Sequence, residues 1–231
     1  MHAAPRAAIV EDMIVVRCGD SPVPPVLVEH ERVDCAEVPG RDEATAVQGA
    51  LDEDNRLVVV GGDAALAALL TRFLRTESLD VEFAFVADSD TPATRAWGLP
   101  TGSKAARLGV QGAAREVPLI RDDTGTALVG EARVTGPDGG PLVGEAYADD
   151  TRVFTGSVDA LLVRPGPEQP GARAAVGGRR KMLRRRRWID GRAVQLGTDA
   201  GVVVRDGVPG RRAVKRTTFY RHVDPWRLVL P

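Results

Sequence analysis

The 231-residue chain is poor in several residue types that mark particular protein classes. It has 2 cysteines, Cys18 and Cys35, too few for a disulfide-stapled fold and without zinc-ligand spacing, so both are expected to be reduced and structural. Aromatic residues make up only 4% of the chain, too few for a base-stacking platform, and no nucleic-acid partner is expected. Histidine occurs 3 times and without a pattern, and no serine or cysteine sits in a nucleophile elbow. Apolar runs such as Leu57 to Val60 and Ala64 to Leu70 fall far short of the roughly 20 residues of a spanning helix. The first residues carry no apolar core of signal-peptide length, which predicts a cytoplasmic protein.

Charge is abundant and nearly balanced, at -1 overall, but it is unevenly distributed. Residues 171 to 231 hold 16 Arg and Lys against 4 Asp, which leaves residues 1 to 170 at -13. Within the basic part, Arg179 to Arg187 interleaves cations with Met182 and Leu183 and ends at Trp188. Such a segment can dock on an anionic membrane surface, with each near-surface cation contributing about 1 kcal/mol, or serve as a solvated loop.

The first half alternates strand and helix patterns. Weak strands are predicted at Ala7 to Val10 and Met13 to Val16, and a helix over Arg41 to Asp52. The apolar run Leu57 to Val60 reads as a buried parallel strand that stops at Gly61-Gly62-Asp63, with Asp63 capping a helix over Ala64 to Arg75. A strand over Val81 to Val86 and a helix over Thr101 to Gln111 follow. After about residue 115, short β-branched segments separated by Asp-Gly and Pro-Asp-Gly turns predict antiparallel β-structure. Strands are expected at Ala127 to Val134, Arg152 to Phe154, Val158 to Val163, Ala193 to Leu196, Val202 to Val204, Ala213 to Tyr220 and Trp226 to Leu230, with a surface loop over Arg164 to Gly171. The fold class is therefore an α/β domain over residues 1 to 114 followed by a β-sandwich domain over residues 115 to 231.

Two turns carry candidate chemistry. Gly61-Gly62-Asp63 at a helix start is compatible with phosphate, because glycine admits close backbone approach and a helix N-terminus offers free N–H groups. Asp88-Ser89-Asp90-Thr91-Pro92 leaves a strand and enters a helix. Asp88 and Asp90 can ligate Mg²⁺ through oxygen, while Asp90 or Thr91 can equally cap the helix.

The order and spacing of these pieces resemble the diacylglycerol kinase catalytic domain family, which includes sphingosine kinases and bacterial lipid kinases. Gly61-Gly62-Asp63-Ala64-Ala65 is similar to the family's Gly-Gly-Asp-Gly-Thr turn, and Val86 to Arg95 falls where its Pro-x-Gly-Thr-Gly-Asn-Asp loop lies. Asp206-Gly207-Val208 is similar to its Asp-Gly-Glu turn. The resemblance implies ATP and Mg²⁺ as cofactors and phosphoryl transfer to a lipid with a free hydroxyl. It gives Gly61, Gly62, Asp63, Ser89 and Thr91 to the nucleotide, Asp88 and Asp90 to the metal, and Asp206 to general-base catalysis. The departures fall on the same motifs: Ala64 and Ala65 replace Gly and Thr, carboxylates replace two glycines of the second loop, and Val208 replaces Glu. They imply the alternative of a catalytically degenerate kinase-like protein that binds a lipid, a membrane surface or a protein partner.

Overall fold

The computed structural model describes residues 13 to 51, 56 to 178 and 186 to 231. The expected strand over Ala7 to Val10, the end of the expected first helix at Asp52, and Arg179 to Arg185 of the basic segment lie outside the described residues. The chain divides into two compact units, one of residues 1 to 117 with Trp226–Pro231 and the other of Pro118–Pro225.

In the first unit, β1 (Met13–Cys18), β2 (Glu31–Cys35), α1 (Arg41–Gly49), β3 (Arg56–Val60), α2 (Asp63–Arg75), β4 (Glu82–Val86), α3 (Pro92–Trp97), α4 (Gly102–Gln111) and β5 (Ala113–Val117) follow one another. The parallel strand–helix alternation read from the sequence is present, with β1 paired in parallel to β2 and β3, and β3 to β4. Every residue of β3 is buried, as expected of an apolar strand covered on both faces. Met13, Val15, Val58, Val60, Ala84 and Val86 form one core with Ala105 and Ala106 of α4. Phe73 of α2 meets Phe83 edge to face, with ring centroids 5.2 Å apart.

The second unit is antiparallel throughout: β6 (Ile120–Asp122), β7 (Ala127–Leu128), β8 (Ala132–Thr135), β9 (Leu142–Ala148), β10 (Thr151–Val158), β11 (Ala160–Pro165), β12 (Ala172–Gly177), β13 (Ile189–Gly191), β14 (Ala193–Arg205), β15 (Val208–Pro209) and β16 (Val214–Arg221). The two strands expected at Ala193 to Leu196 and Val202 to Val204 are one strand, β14, with a register irregularity between Gly197 and Gly201. Its first part pairs with β9 and β16 and its second with β8 and β15, so one strand serves two sheets. Residues of both share a core that includes Val134, Leu161, Val163, Leu196 and Phe219.

One strand departs from the expected partition. The closing strand β17 (Trp226–Leu230) pairs in parallel with β4 and antiparallel with β5, completing the sheet order β2-β1-β3-β4-β17-β5 of the first unit. Trp226 is 1% exposed and stacks edge to face on Phe83 and Trp97, both at 5.6 Å. The boundary therefore falls after Val117 rather than after residue 114, and the last strand belongs with the first unit.

Candidate functional site

The strand order of the first unit reverses at β1, which has β2 on one side and β3 on the other. In open α/β sheets, ligands bind outside the carboxyl ends of the strands at such a point. A cleft of about 210 Å³ lies there. It is bounded by the segment Ser21 to Pro25 after β1, by Val60 and Val86 at the ends of β3 and β4, and by Asp88, Gly102 and Ser103. Its walls are mostly apolar, and Asp88 is the charged residue on them. The Ser21 hydroxyl donates to the Cys18 carbonyl at 2.8 Å and holds the first wall to its strand.

The Gly61-Gly62 turn follows β3 directly. Gly61 N–H donates to the Val86 carbonyl at 3.1 Å, which ties the turn to the neighbouring strand end. A Cβ on Gly61 would lie 3.0 Å from the Cys18 Cβ and 3.3 Å from that of Ala65, so the turn closes tightly over Cys18. A Cβ on Gly62 would meet nothing within 4 Å, so this residue faces open space. Gly62, not Asp63, occupies the N-cap position of α2. The expected cap therefore acts elsewhere: Asp63 Oδ2 accepts from the Ala93 backbone N–H at 2.9 Å, inside the first turn of α3.

Asp63 is 7% exposed, and its Oδ1 has no hydrogen-bond partner. Burial pushes its carboxyl above the usual carboxylate range, while the Thr91 hydroxyl, the Ala93 N–H and Arg95 draw it back. Gly61, Gly62 and Asp63 are not among the residues that line the cleft. Neither the turn sequence nor its spacing revealed this reach to α3.

The second loop divides its residues between two tasks. Thr91 caps α3: its Oγ1 accepts from Thr94 N–H at 3.1 Å, and its own N–H donates to Thr94 Oγ1 at 2.8 Å. The helix ends at Gly98, whose φ of 65° is the left-handed conformation that glycine adopts without strain. Thr91 thus caps α3, one of the roles open to it from sequence. Asp88, Ser89 and Asp90 are exposed, and only Asp88 of the three lines the cleft. No group of three or more His, Cys, Asp or Glu suited to a metal occurs among the described residues. Asp88 is the one carboxylate on the cleft wall, the minimum that a Mg²⁺ ion held mainly by substrate phosphates would require. Asp90 is not brought to the cleft wall.

Asp206, expected as the base, belongs to the second unit. It sits at φ 46° in the turn after β14, followed by Gly207 at φ 84°, and is 6% exposed. Its carboxylate accepts from the backbone N–H groups of Val129 at 3.0 Å, Gly130 at 2.8 Å and Glu131 at 3.0 Å. Its own N–H donates to the Glu131 carbonyl at 2.9 Å. These bonds explain why the strand expected over Ala127 to Val134 breaks into β7 and β8: the backbone between them pairs with Asp206 instead of a ladder. The geometry is a staple between two turns. Beside it, Arg205 ion-pairs with Asp122, which is fully buried and also accepts from the Thr124 hydroxyl at 2.6 Å.

Of the basic segment, Arg186, Arg187 and Trp188 are described. Trp188 is half-buried under the Arg164 guanidinium, 4.9 Å from its ring centroid, so this aromatic packs on its own unit. Cys18 is buried and Cys35 half-buried, and both are free thiols, as expected. They stand opposite one another in the register of β1 and β2. Among the described residues, no helix is long and apolar enough to cross a membrane.

No family model matches the chain, and no curated protein matches it by sequence. Solved structures do match. A diacylglycerol kinase of Bacillus anthracis str. Sterne superposes with a TM-score of 0.72 at 11% identity, covering 96% of this chain and 97% of that one. An NAD kinase of Archaeoglobus fulgidus in complex with ATP superposes with a TM-score of 0.60 at 13% identity, covering 94% and 93%. Yeast NADH kinase complexed with NADH gives a TM-score of 0.56 at 10% identity, covering 95% and 83%. The chain has the fold these kinases share, over nearly its whole length.

Proposed function

We propose that the chain binds ATP as its Mg²⁺ complex in the strand-end cleft of the first unit and transfers the terminal phosphoryl group to the hydroxyl of a lipid. One observation carries this reading: the cleft lies at the strand-order reversal, between the ends of β1, β3 and β4, with Asp88 on its wall. The N-termini of α2 and α4 begin beside these strand ends and present positive dipole ends to phosphate, with the Gly102 N–H at the start of α4 donating to the Ala87 carbonyl at 2.7 Å. Gly62 leaves open space for the approach. A carboxylate facing a phosphate without a cation is repelled by on the order of 4 kcal/mol at 4 Å and an effective dielectric near 20, so Asp88 serves this site only through a divalent ion. Mg²⁺ held there would neutralise charge on the transferring group, the main requirement of phosphoryl transfer. The fold shared with diacylglycerol kinases supports a lipid as acceptor.

A second reading, binding without transfer, is favoured by Asp206. Its carboxylate is engaged by three N–H groups, which leaves the expected base committed to the fold. Incubation with γ-labelled ATP, Mg²⁺ and diacylglycerol-containing vesicles separates the two. Label in the lipid fraction supports transfer; nucleotide binding with no label supports the second reading; absence of both overturns the assignment of the cleft.

A further inference from the structure

The chain's two cysteines meet at one place in the fold. Cys18 ends β1 and Cys35 ends β2, and the parallel register of these strands sets one directly beside the other. Residues paired in this way send their side chains to the same face of the sheet. Burial raises the Cys18 thiol, and Cys35 and then Glu43 add to it; burial and then Glu43 raise Cys35, so both sulfurs face α1. Neighbouring strands lie about 4.8 Å apart, within the separation of about 4.4–6.8 Å between α-carbons that a disulfide bridges.

The two thiols differ in access. Cys18 is 2% exposed, packed under the Gly61 turn, whereas Cys35 is half-buried and reachable from solvent. Between them in sequence runs the segment 19 to 34, which includes Ser21 to Pro25, the first wall of the cleft. In the reduced protein that segment is already tied back to the two strand ends. Gly19 N–H donates to the Cys35 carbonyl at 3.0 Å, and the Ser21 hydroxyl holds the Cys18 carbonyl. A bond between the sulfurs would close this wall into a covalent ring.

We propose that Cys18 and Cys35 are a thiol–disulfide switch that clamps the first wall of the cleft when a small-molecule disulfide oxidises them. The Cys35 thiolate attacks one sulfur of the small disulfide, whose S–S bond breaks, and one thiolate leaves and takes up the proton that Cys35 lost. The Cys18 thiolate then attacks the Cys35 sulfur of the mixed disulfide and expels the second thiolate, which takes up the proton that Cys18 lost. Two protein thiols are oxidised by two electrons, and one small disulfide is reduced to two thiols. The strand register holds the Cys18 sulfur at high effective concentration beside Cys35, which favours this step over attack by a second protein molecule. The switch concerns the wall itself and stands whether or not the cleft holds a nucleotide.

The test incubates the folded full chain with oxidised glutathione at mildly alkaline pH, then alkylates the remaining thiols under denaturing conditions and weighs the chain. The wild type is expected to lose both alkylatable thiols, carry no glutathione, keep the mass of one chain without reductant, and regain both thiols with dithiothreitol. Cys18→Ser is expected to stop at a glutathione adduct on Cys35, because the resolving thiol is gone. The oxidised wild type is expected to unfold several degrees higher than the reduced form, since the cross-link constrains the unfolded chain. Cys18→Ser treated in the same way is expected to show no such rise. A lasting glutathione adduct on the wild type overturns the proposal, as does a doubled mass that reductant collapses. Thiols that stay free in the folded wild type, or a melting temperature that the disulfide leaves unchanged, overturn it as well.

Discussion

The Asp63 carboxylate accepts the backbone N–H of Ala93 across 30 residues of sequence, at 2.9 Å. Through this one bond the turn after β3 and the helix after the β4 loop share an anchor, so the two segments flanking the candidate site are positioned together.

Asp63→Ala leaves the Ala93 N–H buried without an acceptor, and a loss of about 1–3 kcal/mol is expected. For a chain of this size that is a fall of roughly 2–4 °C in Tm per kcal/mol, read by thermal unfolding. The acid also titrates. Its folded pKa lies above the unfolded value, so its stabilising contribution is fully present below the ordinary carboxylate range and is lost as pH rises through the folded value. Asp63→Asn removes that dependence. The Tm of the variant relative to wild type is therefore expected to rise from acid to neutral pH, and a constant difference would contradict the buried-carboxylate reading.

The two glycines of the turn make opposite predictions. Gly61→Ala forces a shift against Cys18 and Ala65 and is expected to cost about 1–3 kcal/mol, as overpacking does. Gly62 has φ -92° and open space around it, so Gly62→Ala is expected to cost about 1 kcal/mol or less, the preference of an N-cap for glycine over alanine. On the proposed reading phosphate approaches the start of α2, so Gly62→Ala is expected to weaken ATP binding by more than its small effect on stability accounts for. Denaturant unfolding and calorimetry on one preparation check both halves.

Asp206→Ala orphans three backbone N–H groups and places alanine at positive φ. A loss of about 3 kcal/mol or more is expected. Asp206→Asn tolerates the left-handed conformation and retains one acceptor oxygen, so its loss is smaller. If Asp206→Ala left stability intact, the staple would be an incorrect description.

Burial, with Cys35 and Glu43 adding to it, raises the Cys18 thiol from 9.0 to about 12. In alkylation at mildly alkaline pH, Cys35 is expected to react well before Cys18. Above pH 9 the unfolded thiol deprotonates while the folded one does not, so stability falls with rising pH, and Cys18→Ala is expected to flatten that limb.

The first unit was legible where local pattern determines structure. The apolar run Leu57 to Val60 is buried on both faces because its residues admit no solvent side, and α2 follows from leucines at helical spacing. What escaped the sequence depends on pairing across long separations. Nothing in Trp226 to Leu230 says that the strand pairs with β4, some 140 residues earlier, rather than with the β-rich segments just before it. Two strands were expected at Ala193 to Leu196 and Val202 to Val204, yet β14 runs through both, with a register shift between Gly197 and Gly201 where glycine weakens the ladder. Around the candidate site, the partners of the motif residues were not legible: Thr91 bonds the Thr94 backbone, Asp63 reaches Ala93, and Asp206 holds Val129 to Glu131. Side chains that bond distant backbone leave no periodic trace.

The central claim is that the strand-end cleft binds ATP through a divalent ion at Asp88, and calorimetric titration of ATP with and without Mg²⁺ tests it most directly. The account predicts saturable binding that requires Mg²⁺ and is lost or sharply weakened in Asp88→Ala, with the variant's melting curve unchanged. Binding that is indifferent to Mg²⁺ and to Asp88→Ala, or no binding at millimolar ATP, would contradict it.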